Sequence, residues 1–123
     1  MEAASILILL AAFQVKHMFA DYFLQTSLML ANRAVYLHLG RALHCLVHVV
    51  GSFVCLMLFG VPVGLMLVVL VAEWIVHYHI DFAKGVWSER AAHSPSEASY
   101  WRAFGADQLM HQLTYVGMVW AVV

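Results

Sequence analysis

The chain has 123 residues, of which 64% are hydrophobic and only 11% are charged, and its mean hydropathy is +0.85. A typical soluble domain is roughly half apolar and about one quarter charged, and a small domain cannot bury a large excess of apolar surface. This composition argues against a water-soluble enzyme and against a disordered chain. Six lysines and arginines and a formal net charge of −1 also give no basic surface for nucleic acid. An integral membrane protein remains, with room for roughly four spans of about 20 residues each.

Four apolar runs follow one another along the chain. We expect them to form the spans of a single all-α transmembrane domain, at about 5–31, 41–59, 62–84 and 104–123. The second and third runs are separated only by Gly60-Val61-Pro62-Val63-Gly64, which is typical of a tight turn between two helices. The first run has no basic leader and no small-residue cleavage site, so we interpret it as a retained span rather than a signal peptide.

The segment 85–103 is the only polar stretch of the chain. Within it, Ser94-Pro95-Ser96-Glu97 has the composition of a helix start, with a capping serine, then proline, then an acidic residue. Trp87, Tyr100 and Trp101 suit the headgroup zone of a bilayer. The predicted fold is therefore an integral membrane four-helix bundle with a short interfacial helix between spans three and four.

Apart from Lys16, which lies inside the first run and is not counted here, the basic residues flank two of the loops between these runs. Five of them flank the loops after the first and third runs: Arg33, Arg41, Lys84, Arg90 and Arg102. The 60–64 turn and the two ends of the chain carry none. By the positive-inside rule, both basic loops lie in the cytoplasm and both termini lie outside it.

Ionisable residues inside membrane spans are costly and are usually functional. Each run carries a pair of polar residues spaced four apart: His17 and Asp21, His44 and His48, His77 and Asp81, and Asp107 and His111. A spacing of four places both members on one helix face, one turn apart. Three pairs lie at the same depth from the cytoplasmic side, and the first pair lies deeper unless its helix ends before residue 31. We expect the pairs to meet in one layer of the bundle.

These eight side chains form a candidate metal site. Neutral imidazoles and carboxylates are metal ligands, and pairs spaced four apart on a helix can chelate an ion. The set predicts a divalent cation, with zinc first and manganese, iron or nickel as alternatives. Eight ligands exceed one four-coordinate zinc, so either two ions bind, or one ion binds while some carboxylates orient its histidines. Two other interpretations remain open, a hydrogen-bonded or ion-paired polar core and a path for protons or ions.

Other polar residues in the runs receive separate interpretations. Glu73 is expected to partner Lys16 or to support the site indirectly. His79 lies about 200° from His77 around the helix and should face elsewhere. Lys84 follows Asp81 by three residues and so lies on the same helix face as His77 and Asp81, at the level of the headgroups. There it either contacts a phosphate or lipid headgroup or simply extends to water.

The ordered set of motifs resembles a family of small bacterial and phage membrane proteins of unknown function. The matching marks are H-x3-D-x3-Q from His17 to Gln25, H-x3-H at His44 and His48, H-x3-D-x2-K from His77 to Lys84, and D-Q-x2-H from Asp107 to His111. The resemblance covers nearly the whole chain. It implies a shared polyhelical fold in the bacterial inner membrane and a metal site of these residue types, but no activity.

Three hypotheses for function follow. The first is a metal-dependent hydrolase acting on a lipid or lipid-linked substrate near the cytoplasmic leaflet, with Asp21 or Asp81 as base and Lys84 on an anionic headgroup. The second is a non-enzymatic component of the bilayer, a metal-stabilised bundle that binds a partner membrane protein or a second copy of itself, or acts as a sensor. The third is an ion or metal conduit, which ranks last because the outer halves of spans two to four are almost free of polar residues.

Overall fold

The computed structural model describes all 123 residues, and its regular elements are all α-helices. They are α1 (Ala3–Tyr22), α2 (Ser27–Leu30), α3 (Leu39–Leu58), α4 (Val63–Ala91) and α5 (Ala98–Val122). The four long helices close into a ring, because α1 and α4 each pack against both α3 and α5. The all-α prediction is confirmed.

The first helix is shorter than the first apolar run. It ends at Tyr22, whereas the sequence predicts a span that continues to about residue 31. The chain leaves the helix at Phe23, and Thr26 then caps the separate helix α2 by accepting a hydrogen bond from the Met29 amide. Asp21 consequently lies in the last turn of α1, which brings it level with the polar pairs on the other helices.

No separate helix forms between the third and fourth runs, so the predicted interfacial helix is wrong. Helix α4 continues to Ala91 and α5 begins at Ala98, and the two long helices take up most of the 85–103 segment. Ala92 ends α4 in a left-handed conformation, with φ 48°. Ser94, the predicted cap, lies in the turn that follows. The one short helix is α2, between the first two long helices.

Three helices, α1, α3 and α4, are long and apolar enough to cross a membrane by length and composition. Helix α4 is about 43 Å long at about 1.5 Å per residue, which exceeds the roughly 30 Å hydrocarbon core of a bilayer. Helix α5 has the length but not the hydropathy, because its middle contains Asp107, Gln108, His111 and Gln112. A fourth membrane span is therefore not confirmed by this measure.

The inside of the ring has an apolar end and a polar end. The apolar end is a cluster of 10 buried residues that includes Phe13, Leu56 and Tyr115. Nearby, Gly60 adopts φ 69° and lets the chain turn sharply from α3 into α4. The polar end is formed by the later halves of α1 and α4 and the earlier halves of α3 and α5. Successive long helices therefore run in opposite directions.

The outside of the ring is strongly apolar. Large hydrophobic side chains are exposed on all four long helices, among them Leu7 at 67%, Leu58 at 80%, Val68 at 66% and Trp120 at 81%. Soluble monomers rarely expose apolar surface on this scale, because it must be covered by lipid or by protein. The molecule is thus apolar outside and, at one end, polar inside.

Candidate metal centre

The four predicted pairs come together at the polar end of the ring. We call the eight residues the His/Asp cluster: His17, Asp21, His44, His48, His77, Asp81, Asp107 and His111. Its histidines are at most 5% exposed, and its aspartate side chains are 14–16% exposed. The Nε2 atom of each of the five cluster histidines lies within 3.2 Å of an aspartate oxygen. The cluster is therefore one connected unit built from all four long helices.

Asp21 is the point where three histidines from two helices meet. Its Oδ1 lies 2.9 Å from His48 Nε2 and 3.2 Å from His44 Nε2. Its Oδ2 lies 2.9 Å from His17 Nε2. The spacing of four aligns His17 with Asp21 on α1 and His44 with His48 on α3. The early end of α1 places Asp21 opposite the first turns of α3, where both α3 histidines can reach it.

Asp81 forms a second meeting point. Its Oδ2 lies 3.2 Å from His77 Nε2 and 3.6 Å from His44 Nε2, and its Oδ1 lies 3.1 Å from His111 Nε2. Asp107 Oδ1 lies 3.4 Å from the same His111 nitrogen. His44 therefore touches both Asp21 and Asp81 and joins the two halves of the cluster.

Two groups within the cluster are close enough together that they could hold a metal ion. One group is Asp21, His44, His48 and His77, and the other is Asp81, Asp107 and His111, with the ligand atoms of each group within 4.8 Å of one another. His77 Nε2 and Asp107 Oδ1 are buried and make no hydrogen bond, which fits atoms that coordinate a cation. Imidazole and carboxylate donors suit zinc, manganese, iron or nickel. The residues present thus fit one divalent ion, or two.

Tyr115 belongs to the site although the sequence analysis did not single it out. Its side chain is 1% exposed, and its hydroxyl lies 2.8 Å from His17 Nδ1 and 3.4 Å from His48 Nδ1. When one ring nitrogen of a histidine binds a metal, a group that hydrogen-bonds the other ring nitrogen fixes the orientation and the tautomer of the ring. The only signal in the sequence is that Tyr115 follows His111 by four residues, which places both on one face of α5.

A buried ion pair separates the His/Asp cluster from the apolar end. Lys16 Nζ donates to Glu73 Oε1 at 2.6 Å and to the backbone oxygen of His48 at 3.2 Å. It also lies 3.3 Å from His48 Nδ1. The Ser52 hydroxyl donates to the same oxygen of Glu73 at 2.9 Å. The predicted partnership of Lys16 and Glu73 is confirmed, and Ser52 is an addition that the sequence did not indicate.

A cavity of about 150 Å³ lies beside the cluster at the polar end of the ring. Its lining residues are Asp21, His44, Asp81 and Asp107 from the cluster, together with Tyr22, Gln25, Arg33, Lys84, Tyr100, Phe104 and Gln108. The structure thus places Lys84 on the cavity, where its Nζ donates to Ser88 Oγ at 3.0 Å. Gln108 Oε1 lies 3.0 Å from His17 Nε2. Arg33 also lines the cavity, although the sequence analysis gave it no role in the site.

His79 lies outside the His/Asp cluster, whereas Cys45 lies against it. His79 points away from the cluster, with Nε2 2.9 Å from the Tyr36 hydroxyl and Nδ1 2.7 Å from the Ile75 oxygen. Cys45 is fully buried, and its sulfur lies within 4.8 Å of ligand atoms of His77 and Asp81. A cysteine in an apolar run indicates only a small packing residue, so this additional donor could not be assigned from sequence.

Comparison with known proteins gives a family and no activity. The model of a family described as "Protein of unknown function (DUF3307)" matches residues 9–123. No curated protein and no solved structure matches the chain.

Proposed function

The chain belongs to the DUF3307 family of proteins of unknown function, and we propose that it is a membrane-embedded, metal-dependent hydrolase. In this proposal all four long helices span the bilayer, and the His/Asp cluster binds one or two divalent cations, with zinc first. The substrate is a lipid or lipid-linked molecule that reaches the cluster from the cytoplasmic leaflet. The observation that carries the proposal is the convergence of five imidazoles and three carboxylates beside a cavity.

The buried charge supports the metal. Three aspartates share one site, and the adjacent ammonium of Lys16 is already paired with Glu73 at 2.6 Å. Burying carboxylates without compensation is costly. A divalent cation neutralises them and uses the imidazole nitrogens as ligands, including the buried His77 Nε2 that has no hydrogen bond.

The distribution of side chains supports the membrane. The exposed faces of the long helices carry leucine, valine, phenylalanine and tryptophan, whereas His111 and Tyr115 of α5 are at most 2% exposed. His111 is buried and Asp107 and Gln108 line the cavity, so these three residues lower the mean hydropathy of α5 without facing lipid, whereas Gln112 is exposed. We therefore include α5 as the fourth span. The basic residues Arg33 and Lys84 lie at the cluster end, which the positive-inside rule assigns to the cytoplasm.

The cavity supports catalysis over a purely structural site. A bound divalent cation would supply a nucleophilic water and polarise the substrate carbonyl or phosphoryl oxygen. Asp21 and Asp81 both line the cavity, where one of them can accept a proton from that water. Lys84 lies on the same cavity and can contact an anionic headgroup. A closed structural site needs no such opening.

Metal analysis of the purified chain tests the first part of the proposal. We expect about one or two zinc, manganese, iron or nickel ions per chain after purification in detergent without chelators. His77→Ala should remove most of this metal, because His77 Nε2 is buried among the carboxylates. His79→Ala is the matched control, since it removes an imidazole from the same helix outside the cluster. Wild-type protein without stoichiometric metal, or equal loss in both variants, would contradict the proposal.

Lipid hydrolysis tests the second part. Metal-loaded protein is incubated with mixed phospholipid vesicles, and products are followed by mass spectrometry with and without a chelator. Asp81→Asn should abolish the products, while His79→Ala should leave them unchanged. Full metal occupancy without any turnover would instead favour the non-enzymatic alternative, in which the metal ties the helices together and the exposed apolar faces receive a partner membrane protein or a second copy.

A further inference from the structure

We propose that Arg33 and Lys84 form a phosphate-binding rim on the cavity beside the His/Asp cluster, so that the substrate of the proposed hydrolase is a phosphate ester. This inference rests on the proposed function, because it names the class of substrate for the same site. It concerns different side chains from the metal ligands, and it can therefore fail independently of the metal.

The first observation is that two cations on the cavity have no carboxylate partner. Neither Arg33 nor Lys84 forms an ion pair in the structure, although Asp21, Asp81 and Asp107 line the same cavity. Arg33 Nη2 donates to the neutral Gln25 Oε1 at 3.0 Å, and Lys84 Nζ donates to the neutral Ser88 Oγ at 3.0 Å. Both side chains are partly exposed, so both keep donors free for a ligand.

The second observation is that the loop carrying Arg33 is held in place by buried contacts. The guanidinium of Arg41, which is 3% exposed, donates to the backbone oxygens of Val35 at 2.7 Å and Tyr36 at 3.0 Å. It also donates to the backbone oxygen of Arg33 itself. Burying a guanidinium costs free energy, and a loop that only connects two helices does not require a buried arginine bound to three of its carbonyl groups. Arg41 fixes the path of residues 33–36 and so the position from which the Arg33 side chain extends.

The third observation is that Gly85 of α4 packs against the same loop. A Cβ at this position of α4 would collide with the backbone carbonyl of Arg33. The loop is therefore seated directly on α4, one residue after Lys84. Both cations line the same cavity, one from the loop and one from the helix.

Phosphate is the ligand that fits these cations and this space. The planar guanidinium of Arg33 can bind two phosphate oxygens at once, and Lys84 supplies a compact positive charge. The cavity of about 150 Å³ has room for a phosphate group and a few waters but not for a whole lipid, whose tails would stay in the bilayer. The metal ligands Asp21, His44, Asp81 and Asp107 line the same cavity, so a phosphate bound by the rim would lie beside the cation.

Phosphate binding by the purified full-length chain tests the inference. Inorganic phosphate and dihexanoyl phosphatidic acid are titrated calorimetrically into detergent-solubilised protein, with and without added Zn²⁺. Arg33→Gln and Lys84→Gln should each weaken binding by about 10-fold or more, the usual effect of removing a charged hydrogen-bond donor. Arg90→Gln is the control, because Arg90 is an exposed arginine near the end of the same α4 helix and does not line the cavity.

The outcomes separate this inference from the proposed function. Weaker phosphate binding in Arg33→Gln with unchanged zinc content supports the rim. Binding of phosphatidic acid alone identifies a lipid headgroup as the source of the phosphate, and binding of both ligands shows that the phosphate group suffices. No binding of either ligand, or equal affinity in wild type and Arg33→Gln, overturns the rim whether or not zinc is bound.

Discussion

The ion pair between Lys16 and Glu73 provides the sharpest test of how the interior is held together. The two charged atoms lie 2.6 Å apart, and the side chains are 9% and 0% exposed. With an effective dielectric constant of about 20, their direct attraction is about 6 kcal/mol. Withdrawing two charged groups from water costs several kcal/mol for each ion, so the pair as a whole contributes little net stability.

The same arithmetic predicts a large effect when only one partner is removed. Lys16→Met leaves the Glu73 carboxylate buried with only the Ser52 hydroxyl as a hydrogen-bond donor, and Glu73→Leu leaves a buried ammonium without its carboxylate. Each single variant should lose about 3–5 kcal/mol of unfolding free energy. The double variant Lys16→Met/Glu73→Leu should lie within about 1–2 kcal/mol of wild type, because it removes both charges together.

Unfolding in mixed micelles, followed by helical circular dichroism during a titration with sodium dodecyl sulfate, measures these differences. Lys84→Met is the control: it also removes an ammonium, but one whose only hydrogen-bond acceptor is the Ser88 hydroxyl. It should change the unfolding free energy by less than about 1.5 kcal/mol. If Lys16→Met were as stable as Lys84→Met, or if the double variant were as unstable as the sum of the two singles, the reasoning would be refuted.

Two further predictions concern the surroundings of the metal centre and of the loop. Tyr115→Phe removes the hydroxyl 2.8 Å from His17 Nδ1 and should weaken zinc affinity by about 10- to 100-fold, as measured by competition with a fluorescent chelator; unchanged affinity would show that Tyr115 only fills space. Gly85→Ala should displace the loop at Arg33 and speed trypsin cleavage after that residue, whereas Gly64→Ala, where a Cβ meets open space, should not. Equal cleavage rates in the two glycine variants would show that the loop is not seated on α4.

The sequence predicts the members of the His/Asp cluster well because a spacing of four is a direct property of the α-helix. His44 and His48, or His77 and Asp81, must share a helix face wherever the helix lies. Apolar surroundings then leave only the inside of the bundle for them. Both inferences need only local geometry and composition, and together they predict that residues as distant in the chain as His17 and His111 lie in one site.

The parts that could not be predicted depend on contacts between distant segments. The end of α1 at Tyr22 is set by the turn and the capped helix α2, although the apolar run continues beyond it. In the sequence, Arg33 cannot be distinguished from other basic loop residues. Only the structure shows that Arg41 binds its backbone oxygen and that its carbonyl packs against Gly85 of α4. Tyr115 has the composition of a packing residue, and only the tertiary structure shows its hydroxyl against His17.

The charge of the polar end connects the His/Asp cluster with the two cations on the cavity. With neutral imidazoles, the His/Asp cluster carries three negative charges from its aspartates, and Lys16 cannot offset them because it is paired with Glu73. Neutral imidazoles can hydrogen-bond the carboxylates, as His48 Nε2 does with Asp21 and His111 Nε2 does with Asp81, but they add no positive charge. One divalent cation leaves a single negative charge, and two leave a single positive charge. Either state can accept a phosphate held by Arg33 and Lys84 more readily than the bare aspartates could, since the cation removes most of the repulsion between carboxylate and phosphate. With a cation bound as proposed, the His/Asp cluster and the proposed phosphate-binding rim would form one electrostatic unit.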